Sequence, residues 1–212
     1  MGILNVTPDS FSDGGRYAEP AAAIRHGLEM AEAGADLIDV GGESTRPGAR
    51  RVPVEAEVRR TIPVIRALDK AVRVPLSIDT SKAEVAEQAL GSGASIVNDV
   101  TALRGDARMA SVVARANASV ILMHMRGTPE TMQRHPRYGD VVVEVVEFLR
   151  RAADTAQAAG VAHEHILIDP GLGFGKTVEH NLQLMRQLSV FVSLGYPVVV
   201  GPSRKTFIGK VL

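Results

Sequence analysis

The chain has 212 residues, of which 45% are hydrophobic and 23% are charged, and its 24 basic and 24 acidic side chains give a net charge of zero. This length and apolar content suffice for one ordinary core, which excludes a disordered or fibrous chain and predicts a single domain over residues 1–212. The zero net charge argues against nucleic acid or an anionic membrane as the main partner, and the absence of cysteine excludes disulfides and thiolate chemistry.

The first residues of the sequence lead us to expect no targeting signal. The segment MGILNVTPDSF has neither a basic stretch nor a long apolar run, and the apolar runs elsewhere are too short for a membrane-spanning helix. We therefore expect a soluble cytoplasmic protein.

Short β-branched runs alternate along the chain with longer segments of helical period. Seven runs predict strands: ILNV (3–6), LIDVGG (37–42), PLSIDT (75–80), SIVNDV (95–100), SVILMH (119–124), ILIDPG (166–171) and PVVVGPS (197–203). Between them apolar residues repeat at helical spacing, as in Val145, Leu149 and Ala152. Because the runs are largely apolar throughout, we expect a parallel sheet with both faces buried and covered by helices.

Such an alternation closes either as a doubly wound open sheet or as an eight-stranded barrel. Polar residues follow the predicted strands at their ends: Asn5, Asp39 with Glu43, Asp79, Asn98 with Asp99, His124, Asp169 and Ser203. A ring of this kind is typical of the C-terminal face of a TIM (β/α)8 barrel, which is the predicted fold. With about seven strands before Leu212, we expect the barrel to be incomplete at both ends, without its eighth strand and last helices.

Two other patterns imitate known sites. The segment 171–177, GLGFGKT, resembles a phosphate-binding P-loop, but Pro170 stands where that loop needs its first glycine. It is better explained as a strand end, at Asp169, that leads into a rigid turn. His163 and His165 have the spacing of a metal pair, but they lie in a polar segment without a third ligand nearby, and we interpret them as solvated.

Three polar loops follow the first, second and seventh predicted strands: residues 5–15, 42–48 and 201–207. Each loop combines glycine or proline with hydroxyl groups, and the cations Arg46, Arg204 and Lys205 are suited to an anion. Phe11 and Pro47 add apolar surface that can enclose a flat ring. The loops therefore predict a site for an anionic, aromatic small molecule.

Six motifs in this order, NVTPDSFSDGG, GGESTRPG, SIDT, IVNDV, DPGLGFGK and GPSRKTF, resemble the dihydropteroate synthase family of the folate pathway. The resemblance implies a transferase that condenses 6-hydroxymethyl-7,8-dihydropterin pyrophosphate with para-aminobenzoate, releases pyrophosphate and is inhibited by sulfonamides. It also implies a Mg²⁺ cofactor. In the family an eighth strand carries an Arg-x-His pair for pyrophosphate and the last helices form a homodimer, so we expect this chain to lack both features.

The resemblance also assigns roles to individual residues. Its pterin-binding positions are Asp79, Asn98, Met123, Asp169, Phe174 and Lys205. Its aminobenzoate and loop positions are Phe11, Thr45, Arg46, Pro47, Arg204 and Thr206. The implied catalytic groups are Asp79, Asp169, Lys205 and Asp13, and Asn5 is the metal-associated residue.

Two alternative functions stay open at this point. A methyltetrahydrofolate-dependent methyltransferase domain is similar in its barrel and in its acid-amide-acid pocket, although the loops 5–15 and 203–205 favour the synthase. A fragment that binds pterin without catalysis is the other alternative, suggested by the missing eighth strand.

Overall fold

Six short parallel strands form one sheet in which each strand pairs with its neighbours in sequence. The computed structural model describes residues 1–7, 19–46, 48–49 and 51–210. Its strands are β1 (Gly2–Asn5), β2 (Ile38–Gly41), β3 (Leu76–Asp79), β4 (Ile96–Asp99), β5 (Ser119–Met123) and β6 (Ile166–Asp169). Its helices are α1 (Glu19–Glu32), α2 (Val54–Ala71), α3 (Ala83–Leu90), α4 (Met109–Arg115), α5 (Val141–Ala158), α6 (Val178–Arg186) and α7 (Leu188–Val192), with short 3₁₀ turns at His163–His165 and Ile208–Lys210.

The strand order β1-β2-β3-β4-β5-β6 decides between the two architectures predicted from the sequence. A doubly wound sheet reverses its strand order at a switch point, which leaves helices on both faces. Here every connection advances by one strand, and connections of one hand keep the helices on one face. The TIM-barrel type of fold is therefore confirmed, and the carboxyl ends of all six strands lie along one rim.

The seventh predicted strand is reduced to a single bridge. Val198 pairs with Ile168, supported by hydrogen bonds from Ile168 N to Pro197 O (3.0 Å) and from Val199 N to Ile168 O (2.8 Å). The prediction of a full strand over residues 197–203 was therefore wrong. Pro197 and Pro202 have no N–H group to donate to a ladder, which limits how far strand pairing extends.

The two faces of the sheet differ in chemistry, contrary to the expectation of two apolar faces. The face covered by helices is apolar and buried, with Leu4, Ile38, Val40, Leu76, Ile78, Val97, Val120, Leu122, Ile166 and Ile168 in one core cluster. The alternate residues on the inward face include Asp39, Ser77 and Asp79. Because side chains alternate along a strand, the same short runs supply both a core and a polar interior.

The two ends of α5 are stabilised by individual residues. The Asp140 side chain caps α5 by accepting hydrogen bonds from Val142 N (2.9 Å) and Val143 N (3.1 Å). Gly160 follows that helix with φ of 97°, a left-handed conformation that closes a helix end. Among the described residues, no helix is both long enough and apolar enough to span a membrane.

Candidate active site

Four residues of the polar rim lie in one register row across β1 to β4. Asn5 pairs with Gly41, Gly41 with Asp79, and Asp79 with Asn98. Residues directly opposite one another on paired strands point to the same face of a sheet, so these side chains share the inward face. Met123 pairs with Asp169 in the same way on β5 and β6. The structure thus brings five predicted site residues to one end of the sheet.

Gly41 leaves a gap between two of these side chains. A Cβ atom at this position would lie 3.6 Å from Asn5 Oδ1 and 3.7 Å from Asp79 Oδ2. A larger residue would fill the space that the two oxygen atoms border. The glycine therefore keeps this part of the rim open to a ligand.

Asp79 is an incompletely satisfied carboxylate. Its Oδ1 atom is enclosed and has no hydrogen-bond partner in the described part of the chain. Burial raises the pKa of Asp79 well above its ordinary value, and the negative charges of Asp39 and Glu57 add to that rise. An enclosed acceptor without a donor is unfavourable in the free protein, so Asp79 is suited to pair with donors of a bound molecule.

Asn98 is oriented by a residue that the sequence analysis did not include among the site residues. Asn98 Nδ2 donates to Asp39 Oδ2 (3.0 Å), and Ser77 Oγ donates to Asp39 Oδ1 (2.5 Å). Burial raises the pKa of Asp39, while these two hydrogen bonds oppose the rise. Because Asp39 takes one amide hydrogen, the carbonyl oxygen of Asn98 stays available to a ligand. The alternate polar residues in LIDVGG and PLSIDT were the available sequence signal.

Asp169 ends β6 and is followed by a tight glycine turn. Gly171 N donates to Asp169 Oδ1 (2.7 Å). Gly171 has φ of 68°, and a Cβ atom there would overlap the carbonyl oxygen of His124. Burial raises the pKa of Asp169 to about 6. The Gly171 hydrogen bond and the positive charges of Lys176 and Lys205 oppose this rise.

Lys205 and Phe174 contact each other near the carboxylates of the rim. Lys205 Nζ lies 4.0 Å from the centre of the Phe174 ring. Burial lowers the pKa of Lys205, and the negative charges of Asp169 and Asp79 oppose that shift. Phe174 also packs on a small apolar cluster that contains Met123. Carboxylates, an amide, a cation and an apolar wall thus meet within one region.

The loop residues predicted to contact aminobenzoate are less enclosed. Thr45 is half-buried, whereas Arg46, Arg204 and Thr206 are exposed. Arg204 has a left-handed backbone with φ of 57°. Phe11, Asp13 and Pro47 lie outside the described residues.

The loop that contains Thr45 and Arg46 is anchored by side chains that the sequence analysis did not include among the site residues. Glu43 Oε2 accepts a hydrogen bond from Val52 N (2.9 Å) and forms an ion pair with Lys82. Lys82 also pairs with Glu57, which is fully buried in α2. These contacts join residues far apart in sequence, and local patterns do not reveal them.

The two imitating patterns have structural explanations. The glycine-rich segment 171–175 forms the turn beside Asp169, and the Lys176 side chain packs inward against His124. His163 stacks on Tyr196, with the ring centres 4.6 Å apart.

Comparison with known proteins identifies relatives over the whole chain. The sequence pattern of the family described as "Pterin binding enzyme" matches residues 1–212. Dihydropteroate synthase of Synechocystis sp. is 50% identical over 212 residues, which cover all of this chain and 73% of that protein.

Solved structures give the same result. Xanthomonas albilineans dihydropteroate synthase with 4-aminobenzoic acid matches with a TM-score of 0.94 and 51% identity over all of this chain and 75% of that chain. The same enzyme in complex with 7,8-dihydropteroate matches with a TM-score of 0.88 and 46% identity, over all of this chain and 74% of that chain. Yersinia pestis dihydropteroate synthase with a sulfonamide drug matches with a TM-score of 0.93 and 44% identity, over all of this chain and 76% of that chain.

Proposed function

The chain belongs to the family of pterin-binding enzymes, and we propose that it acts as a dihydropteroate synthase. In this reaction 6-hydroxymethyl-7,8-dihydropterin pyrophosphate and para-aminobenzoate give 7,8-dihydropteroate and pyrophosphate. The relatives described above are named dihydropteroate synthases, and two of their structures hold 4-aminobenzoic acid or 7,8-dihydropteroate. The observation that carries the proposal is the rim that joins Asp79, Asn98 and Asp169 beside an apolar wall.

The rim is complementary to the polar edge of a pterin ring. That edge presents an amino group beside a ring N–H, and one carboxylate can accept both hydrogen bonds. Asp169 is the proposed acceptor because the turn at Gly171 fixes its carboxylate. Asn98 accepts a further donor, and Lys205 donates to a ring acceptor. A ring with another pattern would leave these buried groups unpaired, which disfavours it strongly.

The flat faces of the ring require apolar contacts. Met123 is 4% exposed and belongs to the cluster on which Phe174 packs. We place the pterin ring against these two side chains, with its polar edge toward Asp169 and Asn98. The methylene group of the substrate then points toward the loops after β1 and β2.

The proposed reaction exchanges one bond for another at that methylene carbon. The C–O bond to pyrophosphate breaks and its electron pair leaves with pyrophosphate. The nitrogen lone pair of aminobenzoate forms the new C–N bond, and the nitrogen then releases a proton. The pterin carries positive charge during this exchange, so the carboxylates of Asp79 and Asp169 stabilise it, and no protein nucleophile is needed. Asp13 is a third proposed carboxylate.

A Mg²⁺ cofactor is part of the proposal, with Asn5 as the residue that would hold it. Asn5 Oδ1 borders the gap over Gly41, and no group of three or more acidic or histidine side chains suited to a metal occurs in the described ranges. Mg²⁺ commonly uses one or two protein oxygen atoms together with water and substrate phosphates. We propose that Asn5 holds the ion, which would neutralise charge on the departing pyrophosphate.

Aminobenzoate is proposed to bind between the loops that follow β1, β2 and the 197–199 segment. Its carboxylate is suited to the exposed cations and hydroxyls of these loops, Arg46, Arg204 and Thr206, with Thr45 beside them. Phe11 and Pro47 are the proposed apolar contacts of its ring. Sulfonamides resemble aminobenzoate in shape and charge and are the proposed inhibitors of this subsite.

The proposed function is tested by aminobenzoate-dependent release of pyrophosphate from the dihydropterin pyrophosphate in the presence of Mg²⁺. We expect release by the wild type and a loss of at least about tenfold in Lys205→Ala, because the variant removes a donor to the pterin. Lys70→Ala, an exposed lysine of α2, is the matched control and should behave as the wild type. Release by Lys205→Ala at the wild-type rate, or none by the wild type, would contradict the proposal.

A further inference from the structure

Lys176 is a buried cation without a direct carboxylate partner. Its side chain belongs to a residue that is 4% exposed, and in the described ranges no acidic group lies within ion-pair distance of it. Burial of an unpaired ammonium group is strongly unfavourable unless the surroundings compensate for it. The residue therefore requires an explanation beyond packing.

Three polar atoms lie within hydrogen-bonding distance of Lys176 Nζ. Nζ lies 2.9 Å from His124 Nδ1, 3.1 Å from the carbonyl oxygen of Phe174 and 3.3 Å from the carbonyl oxygen of His124. An ammonium group has three N–H donors, whereas a neutral amine has two donors and a lone pair. The contacts fit an ammonium group when the His124 proton is on Nε2, and a neutral amine when that proton is on Nδ1. The negative charge of Asp169 favours the ammonium form.

His124 is held in the neutral form that this arrangement needs. Its ring packs edge-on against Phe148, with the centres 4.8 Å apart, and it is 5% exposed. Burial lowers the pKa of His124 to about 2, and the positive charge of Lys176 adds to this effect. With its proton on Nε2, the imidazole accepts from Lys176 through Nδ1.

The same contacts fix the turn that begins at Asp169. His124 N donates to the carbonyl oxygen of Asp169 (2.9 Å), and Gly171 packs on the carbonyl oxygen of His124. The turn then passes through Gly173 and Gly175, whose φ values are 80° and 67°, and returns at Lys176 to His124. Lys176 thus closes a loop whose other end is the Asp169 carboxylate.

We propose that Lys176 is a positioning residue for pterin binding, whose buried ammonium group locks the 170–175 turn and supplies the positive charge that faces the Asp169 carboxylate. This inference rests on the proposed function, because it assigns Asp169 to the pterin. Asp169 accepts two N–H donors only as a carboxylate, so the charge of Lys176 favours the binding form.

The electrostatics agree with this geometry. Burial lowers the pKa of Lys176 to about 7; the negative charge of Asp169 opposes the shift, and the positive charges of Arg126 and Lys205 add to it. Burial raises the pKa of Asp169 to about 6, and the Gly171 N–H group and the charges of Lys176 and Lys205 limit that rise. Removal of the Lys176 charge should therefore raise the pKa of Asp169, and pterin affinity should then be lost at a higher pH than in the wild type.

The test is the affinity for 6-hydroxymethyl-7,8-dihydropterin, measured by calorimetry from about pH 5 to about pH 8.5 in the wild type and in Lys176→Met. We expect the variant to bind on the order of tenfold more weakly at neutral pH and to recover as the pH rises. Lys70→Met is the matched control and should keep the wild-type profile. A purely structural defect would weaken binding equally at every pH, and that result, or an unshifted profile, would overturn the inference.

A reciprocal measurement tests the inference even if the Lys176→Met variant does not fold. In Asp169→Asn without ligand, the Lys176 side chain should titrate at a lower pH than in the wild type, as followed by NMR of its Cε and Nζ atoms. An unchanged titration would overturn the inference while leaving the proposed function intact. Failure of the wild type to bind the dihydropterin would instead refute the proposed function and this inference with it.

Discussion

Asp39 illustrates how a residue without ligand contact can determine the chemistry of a site. It is 2% exposed, and both of its carboxylate oxygens accept hydrogen bonds, from Ser77 and from Asn98. Since a carboxylate only accepts, it fixes which side of the Asn98 amide points to the ligand. The orientation of Asn98, in β4, therefore depends on Asp39, which lies two strands away in β2.

Replacement of Asp39 by Asn should remove this constraint. The new amide can donate as well as accept, so Asn98 loses its preferred orientation, and we expect pterin affinity to fall on the order of tenfold. The KM for para-aminobenzoate should change little, since its proposed contacts lie in the loops. Calorimetry and steady-state kinetics of Asp39→Asn beside the exposed control Asp36→Asn measure both quantities, and unchanged pterin affinity would contradict the role of Asp39.

We expect Asp79 to lower the free energy of unfolding of the ligand-free protein. An acid whose pKa is raised by folding holds its proton more tightly in the folded chain, so stability falls as the pH rises above the unfolded pKa of about 4. Asp79→Asn should therefore be more stable than the wild type at neutral pH, by about 1–3 kcal/mol, and equal to it near pH 4.

Denaturant unfolding of Asp79→Asn at several pH values measures this difference. The gain should grow with pH and level off above the raised folded pKa of Asp79. A variant that is less stable than the wild type at neutral pH would show that Asp79 stabilises the free protein after all.

At the scale of elements, the loop after β2 is joined to two helices through one lysine. Lys82, at the start of α3, pairs with Glu43 of the loop and with Glu57 of α2, and Glu57 is fully buried. Arg60 of α2 also donates to the carbonyl oxygen of Gly42 (2.9 Å). These contacts hold the base of the loop while its tip, with Arg46, stays exposed.

Lys82→Met should destabilise the chain by about 3–5 kcal/mol, because it leaves the buried Glu57 charge uncompensated. The double variant Lys82→Met with Glu57→Leu removes both charges and should regain most of that loss. Unfolding free energies of the two variants and the wild type test the pair. Equal instability of the single and double variants would indicate that packing, rather than charge, explains the effect.

The elements also explain how far the sequence could be interpreted. Apolar period and turn residues predicted β1 to β6 and the helices, since these signals are local. The strand ends Asn5, Asp79 and Asn98 were predicted to meet because parallel strands share one rim. The contacts between Asp39 and Asn98, and between His124 and Lys176, depend on register and on a turn that spans many residues, which composition does not encode. The segment 197–203 does not form a full strand because Pro197 and Pro202 lack the N–H groups that strand pairing requires.

For the whole molecule, the strand order and the net charge together determine where a polar, anionic substrate can bind. All six strands advance in one direction, so their carboxyl ends collect polar groups along a single rim. The net charge is zero, so no global field attracts an anionic substrate, and the local cations Lys205, Arg46 and Arg204 are its proposed partners. The chain covers about three quarters of its relatives, and the rim falls wholly within that shared part.

The most direct test of the account is whether the rim binds one pterin through Asp169. Calorimetry with 6-hydroxymethyl-7,8-dihydropterin should show one molecule bound per chain in the wild type and a loss of at least about a hundredfold in Asp169→Asn, since the amide leaves pterin donors unpaired. Asp154→Asn, an exposed site on α5, should bind as the wild type does. Equal affinity of Asp169→Asn and wild type would contradict the assignment of the rim as the pterin site.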